Sequence, residues 1–318
     1  MGSETLNPTT KLLPIIDFAQ PDLKPGSPSW DSVRNLVRQA LEEYGCFEAS
    51  FPRIPLEDRK NTFSCLEEVF DLPLQTKVKN TSNKPYHGYV GQYPTVPLYE
   101  SMGIDGAQMV ENVEEFTRDM WPEGNVTFCK NMHSFSKQVS ELDQLVKRMI
   151  FESFGVEKYL DEHIEESNYL LRVQKYKGPK TTEPQLGITS HTDKSFLTIL
   201  YQNLDGLEVK STKDGDWIKA RCSLDSFIVL IGVSLHAWLN GRLCPTFHRV
   251  TMTGNEARYS LGLFSFPNQG YVIKAAEELV DEDHPLLYKP YDHVEFLSFY
   301  HTEEGQRSED ALKAYCGA

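Results

Sequence analysis

The sequence feature that most restricts the fold of this chain is a series of short, strand-like segments that begins near residue 169. Here, segments rich in β-branched and aromatic residues alternate with Gly, Asp and Asn, which favour turns. We predict eight strands: Tyr169–Tyr176, Phe196–Tyr201, Leu207–Val209, Trp217–Lys219, Phe227–Ile231, Phe247–Thr251, Arg258–Phe266 and Val294–Tyr300. Many short strands separated by turn residues indicate a β-sandwich or barrel and disfavour a sheet built from βαβ units.

Helical periodicity dominates the rest of the chain. The predicted elements there are a strand at Leu13–Phe18 and helices over about Ser29–Gly45, Leu56–Phe70, Phe128–Gly155 and Ser308–Tyr315. Ser29 is expected to cap the first helix and Gly45 to end it. We expect one globular unit with three parts: residues 1–165 as a helical cover with a first strand, 166–303 as the β core and 304–318 as a C-terminal helix.

Charge and apolarity restrict the partners of the chain. Its 318 residues include 32 Lys plus Arg against 46 Asp plus Glu, which gives a net charge of −14. Such an acidic protein repels phosphate backbones and anionic lipid, so we expect neither a nucleic-acid nor a membrane partner. The longest apolar stretch, Phe227–Leu235, is about half of the ~20 residues that cross a bilayer.

The cysteines and the first residues bear on the compartment. Six cysteines are scattered without a C-x-x-C pair, which fits reduced thiols and argues against a zinc cluster or a disulfide scaffold. The segment Met1–Leu6 has neither the basic nor the apolar region of a secretory signal. We therefore expect a cytoplasmic protein, acting as a monomer on a small-molecule substrate.

A short motif, His191-Thr192-Asp193, carries the first chemical signal. In an extended segment residues i and i+2 share a face, so His191 and Asp193 can direct an imidazole and a carboxylate to one point. His248 follows 57 residues later. Two His and one carboxylate form the facial triad of non-haem Fe(II) oxygenases. The H-x-D tripeptide alone also fits a surface His beside an Asp, and zinc accepts the same ligands.

Arg258 and Ser260 add a second signal downstream of His248. The strands on either side of residues 252–257 are predicted to pair as an antiparallel hairpin, because the segment between them is rich in turn residues. With the turn centred on Gly254, Arg258 and Ser260 point to the same face as His248. An Arg in that place can hold the far carboxylate of a small diacid that chelates the metal, since its planar fork makes two charge-assisted hydrogen bonds.

At this spacing, the H-T-D, H-R-V and R-Y-S segments resemble the Fe(II)- and 2-oxoglutarate-dependent dioxygenases of plants. The resemblance covers nearly the whole chain, beginning with Leu13–Asp17 and Tyr44–Phe47. Lys175–Pro179, Leu239–Arg242 and Arg258–Phe264 are most similar to the clade that contains the glucosinolate side-chain dioxygenases, which produce alkenyl and hydroxyalkyl forms. The resemblance implies a mainly β core, the double-stranded β-helix or jelly roll, with a helical N-terminal cover and a C-terminal helix.

Carried over residue by residue, the resemblance also implies roles for six side chains. His191, Asp193 and His248 would ligate Fe(II). Arg258 and Ser260 would bind the distal carboxylate of 2-oxoglutarate, and Tyr176 would reach its iron-proximal carboxylate. The chain departs from the family pattern at three positions: Gln174, Lys177 and Val233 stand where many members have Asn, Pro and Asp.

The implied reaction decarboxylates 2-oxoglutarate to succinate and CO₂ while a plant specialised metabolite is oxidised, with ascorbate as an accompanying reductant. Hydroxylation is the usual outcome, and desaturation, demethylation or ring closure are alternatives. Two other functions stay open at this point. One is a related iron oxidase that does not use 2-oxoglutarate, and the other is a non-catalytic binding protein on the same barrel.

The substrate pocket is predicted from strand parity. Phe264 and Phe266 continue the face of Arg258, so we expect them to contact substrate. Tyr86–Met102 resembles the variable region that covers the site in this family, and Tyr99 within it is a further candidate contact. Trp238 is expected in the core.

Overall fold

Two β-sheets of unequal size face each other in the computed structural model of this protein, which describes residues 11–318. Met1–Leu6, considered above as a possible signal, lies outside these residues. The strands are β1 Ile15–Asp17, β2 Cys46–Ser50, β3 Val90–Gly91, β4 Tyr99–Asp105, β5 Ser167–Tyr176, β6 Thr181–His191, β7 Leu197–Gln202, β8 Leu207–Lys210, β9 Trp217–Lys219, β10 Ser226–Ile231, β11 His248–Gly254, β12 Arg258–Pro267, β13 Val272–Ile273 and β14 Tyr291–Asp292. The α-helices are α1 Pro28–Tyr44, α2 Leu56–Asp71, α3 Leu74–Lys77, α4 Val110–Met120, α5 Val126–Ser153, α6 Leu160–Glu165, α7 Val233–Trp238, α8 His293–Tyr300, α9 Glu303–Arg307 and α10 Ala311–Cys316.

The larger sheet has eight strands in the order β1-β2-β10-β7-β12-β5-β4-β3, and the smaller has four in the order β6-β11-β8-β9. Both are antiparallel except for the parallel β1–β2 pair. Apolar side chains of the two sheets meet in one buried cluster, in which Leu200 and Leu230 pack with Val209 and Val250. This arrangement confirms the predicted jelly-roll core with helices before and after it.

Strand β12 shows how alternation divides the interior. Tyr259, Leu261 and Leu263 face outward and belong to the core formed with the helices. Arg258 and Ser260 have the opposite parity and face the space between the sheets, because successive side chains of a strand point to opposite faces. The helical core thus supports the strand from behind while its inner face is left for polar side chains.

The predicted helices α1, α2 and α5 are present within three residues of their expected ends, and Gly45 ends α1 with φ +73° while its N–H donates to the Leu41 carbonyl. The predicted cap Ser29 is wrong. Ser27 is the N-cap, and its side chain accepts from the Trp30 N–H. Pro28 explains the shift, because its fixed φ suits the first helical position. Helix α4 was not predicted. Among the described residues, no helix combines the length and apolarity that a membrane span requires.

Seven of the eight predicted strands are present within three residues of their expected ends, and Val294–Tyr300 is wrong, since this segment forms α8. Asp292 decides the outcome there, because its carboxylate accepts from the N–H groups of Val294 and Glu295 and so caps a helix. Strands β2, β4 and β6 were not predicted. Strands β1 to β4, from the first 105 residues, all join the eight-stranded sheet.

The predicted hairpin between His248 and Arg258 is also wrong. Strand β11 pairs with β6 and β8 in the small sheet, whereas β12 pairs with β5 and β7 in the large one. The residues between Gly254 and Arg258 therefore cross from one sheet to the other. His248 and Arg258 face a common interior from opposite walls.

Candidate metal centre

The structure brings His191, Asp193 and His248 together. One potential ligand atom from each lies within 4.8 Å of the others. Asp193 Oδ1 is 3.7 Å from His191 Nε2 and 3.8 Å from His248 Nε2. The two His residues are direct partners across the β6–β11 pair, and the loop after β6 turns Asp193 towards them, held by a 2.8 Å hydrogen bond from the Val233 N–H to the Asp193 carbonyl.

Backbone carbonyls orient both imidazoles. His191 Nδ1 is 2.8 Å from the Thr189 carbonyl, and His248 Nδ1 is 3.1 Å from the Thr246 carbonyl. A carbonyl oxygen can only accept, so each Nδ1 donates, and Nε2 is the ring nitrogen of each His that is left to bind a metal beside Asp193. Such hydrogen bonds fix the tautomer and the ring orientation of metal-binding His residues.

The surroundings of Asp193 and His191 suit a bound metal ion. The buried Asp193 Oδ2 has no hydrogen-bond partner among the described residues. An unpartnered buried carboxylate oxygen is costly, and a divalent cation would satisfy it. Burial, with His248 as a second cause, lowers the pKa of His191 to about 4, so its imidazole is neutral near pH 7. Two imidazoles and one carboxylate fit Fe(II), and they also suit zinc.

Arg258 is a buried cation without a carboxylate partner among residues 11–318. It is 1% exposed, and it donates to Gln202 Oε1, to Ser260 Oγ at 3.3 Å and to the Leu204 carbonyl at 3.2 Å. All three acceptors are neutral. Burial lowers the pKa of Arg258, but a guanidinium stays charged in proteins. Its charge is thus left for an anion from outside the chain.

Tyr176 lies beside this guanidinium, whose Cζ is 4.9 Å from the Tyr176 ring centroid. Gly187 makes room for the ring, since a Cβ there would stand 2.7 Å from Tyr176 Cδ1. Burial raises the pKa of Tyr176, so its hydroxyl remains a hydrogen-bond donor. Gln174, one of the departures from the family pattern, accepts from Ser260 Oγ at 2.8 Å and donates to Tyr99 Oη at 3.3 Å.

A cavity of about 530 Å³ opens beside the metal centre. It lies in the size range of small-molecule sites. Its walls include the predicted substrate contacts Phe264, Phe266 and Tyr99, together with His191 and Asp193. The predicted 2-oxoglutarate residues Arg258, Ser260 and Tyr176 do not line this cavity, but Gln174, which does, accepts the hydrogen bond from Ser260. A larger groove of about 850 Å³ on the outer side of the small sheet contains none of these residues.

Two cations of the cavity were missed by sequence reasoning. Arg172 is four residues before Tyr176 on β5, and Lys194 directly follows Asp193. Parity along β5 could have found Arg172, because even-numbered residues there share the face of Tyr176. Burial lowers the pKa of Lys194 to about 8, so its ammonium is still largely charged near pH 7. Trp238 packs in the core as predicted, with its ring 4.5 Å from that of Phe151.

Known proteins are similar to this chain in sequence and in fold. Residues 167–267 match the family model of the 2OG-Fe(II) oxygenase superfamily, and residues 13–100 match that of the non-haem dioxygenase in morphine synthesis N-terminal region. A probable 2-oxoglutarate-dependent dioxygenase of Arabidopsis thaliana, AOP1.2, is 48% identical over 323 residues, which cover 99% of each chain.

Two solved structures are similar as well. The A. thaliana dioxygenase for auxin oxidation 1, in complex with 2-oxoglutarate, is 26% identical with a TM-score of 0.78, over 86% of this chain and 100% of that one. The rice dioxygenase for auxin oxidation is 25% identical with a TM-score of 0.81, over 96% of this chain and 100% of that one.

Proposed function

This chain belongs to the 2OG-Fe(II) oxygenase superfamily, as its motifs predicted, and on that premise we propose that His191, Asp193 and His248 are the iron ligands of its active site. The protein is a 2-oxoglutarate-dependent dioxygenase that acts on a small plant metabolite. The observation that carries the ligand assignment is the surroundings of Asp193. Its buried Oδ2 has no hydrogen-bond partner in residues 11–318, and its Oδ1 lies within 3.8 Å of the Nε2 atoms of two imidazoles whose Nδ1 atoms are already occupied.

When Fe(II) is bound, it supplies the redox chemistry by which O₂ oxidises the substrate while 2-oxoglutarate is converted to succinate and CO₂. The residues of the chain hold and orient the reactants. The backbone carbonyls of Thr189 and Thr246 keep both Nε2 lone pairs directed at the site. With only three protein ligands, positions remain for a chelating co-substrate and for O₂.

We assign the distal carboxylate of 2-oxoglutarate to Arg258 and Ser260, and its iron-proximal carboxylate to the Tyr176 hydroxyl. The unpaired charge of the buried Arg258 supports this assignment, since a carboxylate would compensate it with two charge-assisted hydrogen bonds. The same feature disfavours an iron oxidase that makes no use of 2-oxoglutarate. On binding, the carboxylate would take over donors that now serve Gln202 and Gln174.

The substrate is proposed to lie in the 530 Å³ cavity against Phe264, Phe266 and Tyr99. The stacked rings of Phe264 and Phe266, 6.1 Å apart, form an apolar wall that keeps water from the reacting C–H bond. Hydroxylation is the outcome we expect, with desaturation, demethylation and ring closure as alternatives on the same site.

We further propose that the protein acts as a monomer in the cytoplasm, with ascorbate as reductant, and that its cover, core and C-terminal helix form one globular unit. The cavity and the His-Asp-His cluster are complete within one chain, so the proposed reaction requires no second copy. All six cysteines are unpaired, as in a reducing compartment. The pairing of β1 to β4 within the large sheet supports a single unit.

The test is succinate formation by the purified full chain with Fe(II), O₂ and 2-oxoglutarate, assayed alone and across a panel of small plant metabolites. We expect succinate in every complete mixture and none without Fe(II) or 2-oxoglutarate. A metabolite that raises the rate should gain one oxygen in the mass spectrum. Oxidation of a metabolite without consumption of 2-oxoglutarate would contradict the proposal.

A further inference from the structure

We propose that the substrate of this dioxygenase carries an anionic group, a carboxylate or a sulfate ester, which Arg172 and Lys194 recognise in the cavity beside the metal centre. The inference rests on the proposed function, because it takes this cavity as the substrate site. It concerns cations that neither the metal nor 2-oxoglutarate uses.

Arg172 is a buried charge surrounded by neutral partners. It is 6% exposed, and its Nη atoms donate to the carbonyls of Tyr86 and Gly88 and to Ser101 Oγ. No carboxylate in residues 11–318 forms an ion pair with it, and its Nε makes no hydrogen bond to any of them. A buried guanidinium without an opposite charge is costly, which is why such groups are normally paired.

Lys194 is a second cation on the wall of the same cavity. Its Nζ donates to the Thr192 carbonyl at 2.7 Å and lies 4.4 Å from the centroid of the Tyr300 ring. The same Nζ donates to Thr192 Oγ1 at 3.3 Å, and since an ammonium has three protons, one is not used by Thr192. Within the described part of the chain, Lys194 also lacks an ion-pair partner.

The balance of charge in the cavity is positive. Asp193 is the single carboxylate among the described residues that line it, and the metal would neutralise that carboxylate. His87 also lines the cavity, and its Nδ1 is 3.2 Å from Asp105 Oδ1, but Asp105 already pairs with Lys84 at 2.6 Å. A positive cavity in a chain of net charge −14 is a local exception that an anionic ligand explains.

The remaining walls define the rest of the substrate. Phe264, Phe266, Leu297 and Tyr99 supply apolar and aromatic surface. The cavity thus combines an apolar body site with two charged donors, the usual composition of a specific small-molecule pocket. It fits a small aromatic or alicyclic acid, or a sulfate ester of similar size.

The test compares ligands that differ in charge but little in shape. The probes are 3-phenylpropanoate against 3-phenylpropanamide, and 3-phenylpropyl sulfate against 3-phenylpropanol, titrated by calorimetry into the full chain loaded with Mn(II) and 2-oxoglutarate. We expect at least one anion to bind about tenfold or more tightly than its neutral counterpart, as charge-assisted hydrogen bonds require. The pair that shows the preference distinguishes carboxylate from sulfate.

Variants connect the preference to the two cations. Arg172→Met and Lys194→Met should each lower the ratio of anion to neutral affinity by about fivefold or more, while Arg172→Lys keeps much of it. Lys175→Met is the matched control. Lys175 lies on the same strand with opposite parity, and its Nζ is 3.6 Å from Asp71, outside the cavity. Arg172 also holds the loop of Tyr86 and Gly88. If its loss disturbs this loop, the affinities for the anion and for the neutral ligand both fall, and their ratio is unaffected.

Equal affinities within both pairs, or no detectable binding of either anion up to about 10 mM, overturns the inference. A preference that persists unchanged in both Met variants overturns the assignment to Arg172 and Lys194. Succinate formation by the same preparation with Fe(II) separates this result from the proposed function. If succinate forms but the anions bind no more tightly than their neutral counterparts, only this inference is wrong. If the anions bind more tightly but no succinate forms, the proposed function is wrong and the cavity is an anion-binding site.

Discussion

Two buried carboxylates of this protein, Asp143 and Asp193, have opposite surroundings. Asp143 on α5 is 1% exposed, and its charge is compensated, since its Oδ2 lies 3.0 Å from Lys147 Nζ and accepts from Tyr169 Oη at 2.9 Å. Asp193, at the metal centre, has one oxygen without any hydrogen bond from the described residues. The fold neutralises the first carboxylate and leaves the second for something that binds.

The neighbouring cations repeat the contrast. Lys147 is fully buried, and its charge is compensated by Asp143. Its Nζ also donates to Ser167 Oγ at 3.0 Å, which connects α5 to β5. Arg258 is buried to a similar degree with neutral partners alone. A buried charge that is compensated within the chain serves the fold, whereas one that is not compensated marks a ligand site.

The largest effect should come from the uncompensated carboxylate and its two imidazoles. His191→Ala, Asp193→Ala and His248→Ala are each expected to lower succinate formation at least about a thousandfold, about 4 kcal/mol, because two ligands do not retain the metal. In Asp193→Ala the stability of the metal-free protein should change little, since Asp193 Oδ2 makes no hydrogen bond to the described residues. The urea midpoint of each variant should also no longer rise with Mn(II). Retained turnover in any variant contradicts the ligand assignment.

The opposite result is expected for the compensated carboxylate. Asp143→Ala leaves Lys147 buried without a partner and should lower the free energy of unfolding by about 3–5 kcal/mol, measured in urea. Turnover per folded molecule should stay near the unmodified value. The control is the double variant Asp143→Leu with Lys147→Met, which removes both charges and should recover most of the loss. If Asp143→Ala is as stable as the unmodified protein, the Asp143–Lys147 pair does not stabilise the fold, and the contrast with Asp193 is wrong.

The cluster of His191, Asp193 and His248 could be predicted from sequence because a short motif and its spacing carry it. The pairing of β6 with β11, which positions His191, could not be predicted from the sequence. β6 is an edge strand whose residues are mostly exposed and include Pro184, so it lacks the apolar alternation that identifies a strand. Its register against His248 is a long-range pairing that no local pattern records.

The error at Arg258 has the same origin. Local turn chemistry favours a hairpin, but β12 pairs with β5 over its whole length and with β7 from Ser260 to Phe264. Arg258 nevertheless faces the same interior as His248, as predicted, although the hairpin from which this orientation was predicted does not form. Phe264 and Phe266 follow the same parity and line the cavity. Arg172 and Lys194 were missed because an isolated cation in a sequence has no motif.

Substitution of Arg258 tests whether an uncompensated buried cation marks a ligand site. Arg258→Ala should raise the KM for 2-oxoglutarate by roughly 30-fold to several thousandfold, because a buried carboxylate that loses its cation typically costs about 2–5 kcal/mol. Arg258→Lys should rescue part of the loss, since an ammonium restores charge without the two-pronged geometry. Steady-state succinate kinetics measure the effect, and Mn(II) affinity should change little.

Arg249→Ala is the matched control for that change. Arg249 is next to His248, but its side chain pairs with Glu208 at 2.7 Å and lies over the Trp217 ring, outside the 530 Å³ cavity. The KM for 2-oxoglutarate should stay within about twofold in this variant. Unchanged 2-oxoglutarate kinetics in Arg258→Ala would mean that the co-substrate binds elsewhere or is not used.

Ser260 should give the smallest effect, because it offers a neutral donor where Arg258 offers a charge. Its Oγ accepts from Arg258 Nη1 at 3.3 Å and donates to Gln174 Oε1 at 2.8 Å, so it can turn its proton towards an arriving carboxylate. Ser260→Ala should raise the KM for 2-oxoglutarate about tenfold, the worth of one hydrogen bond to a charged group.

The matched control is Ser265→Ala on the same strand with opposite parity. Ser265 accepts from the Leu197 N–H, so its loss should lower the urea midpoint and leave the KM unchanged. An effect of Ser260→Ala as large as that of Arg258→Ala would mean that geometry, and not the uncompensated charge, determines co-substrate binding.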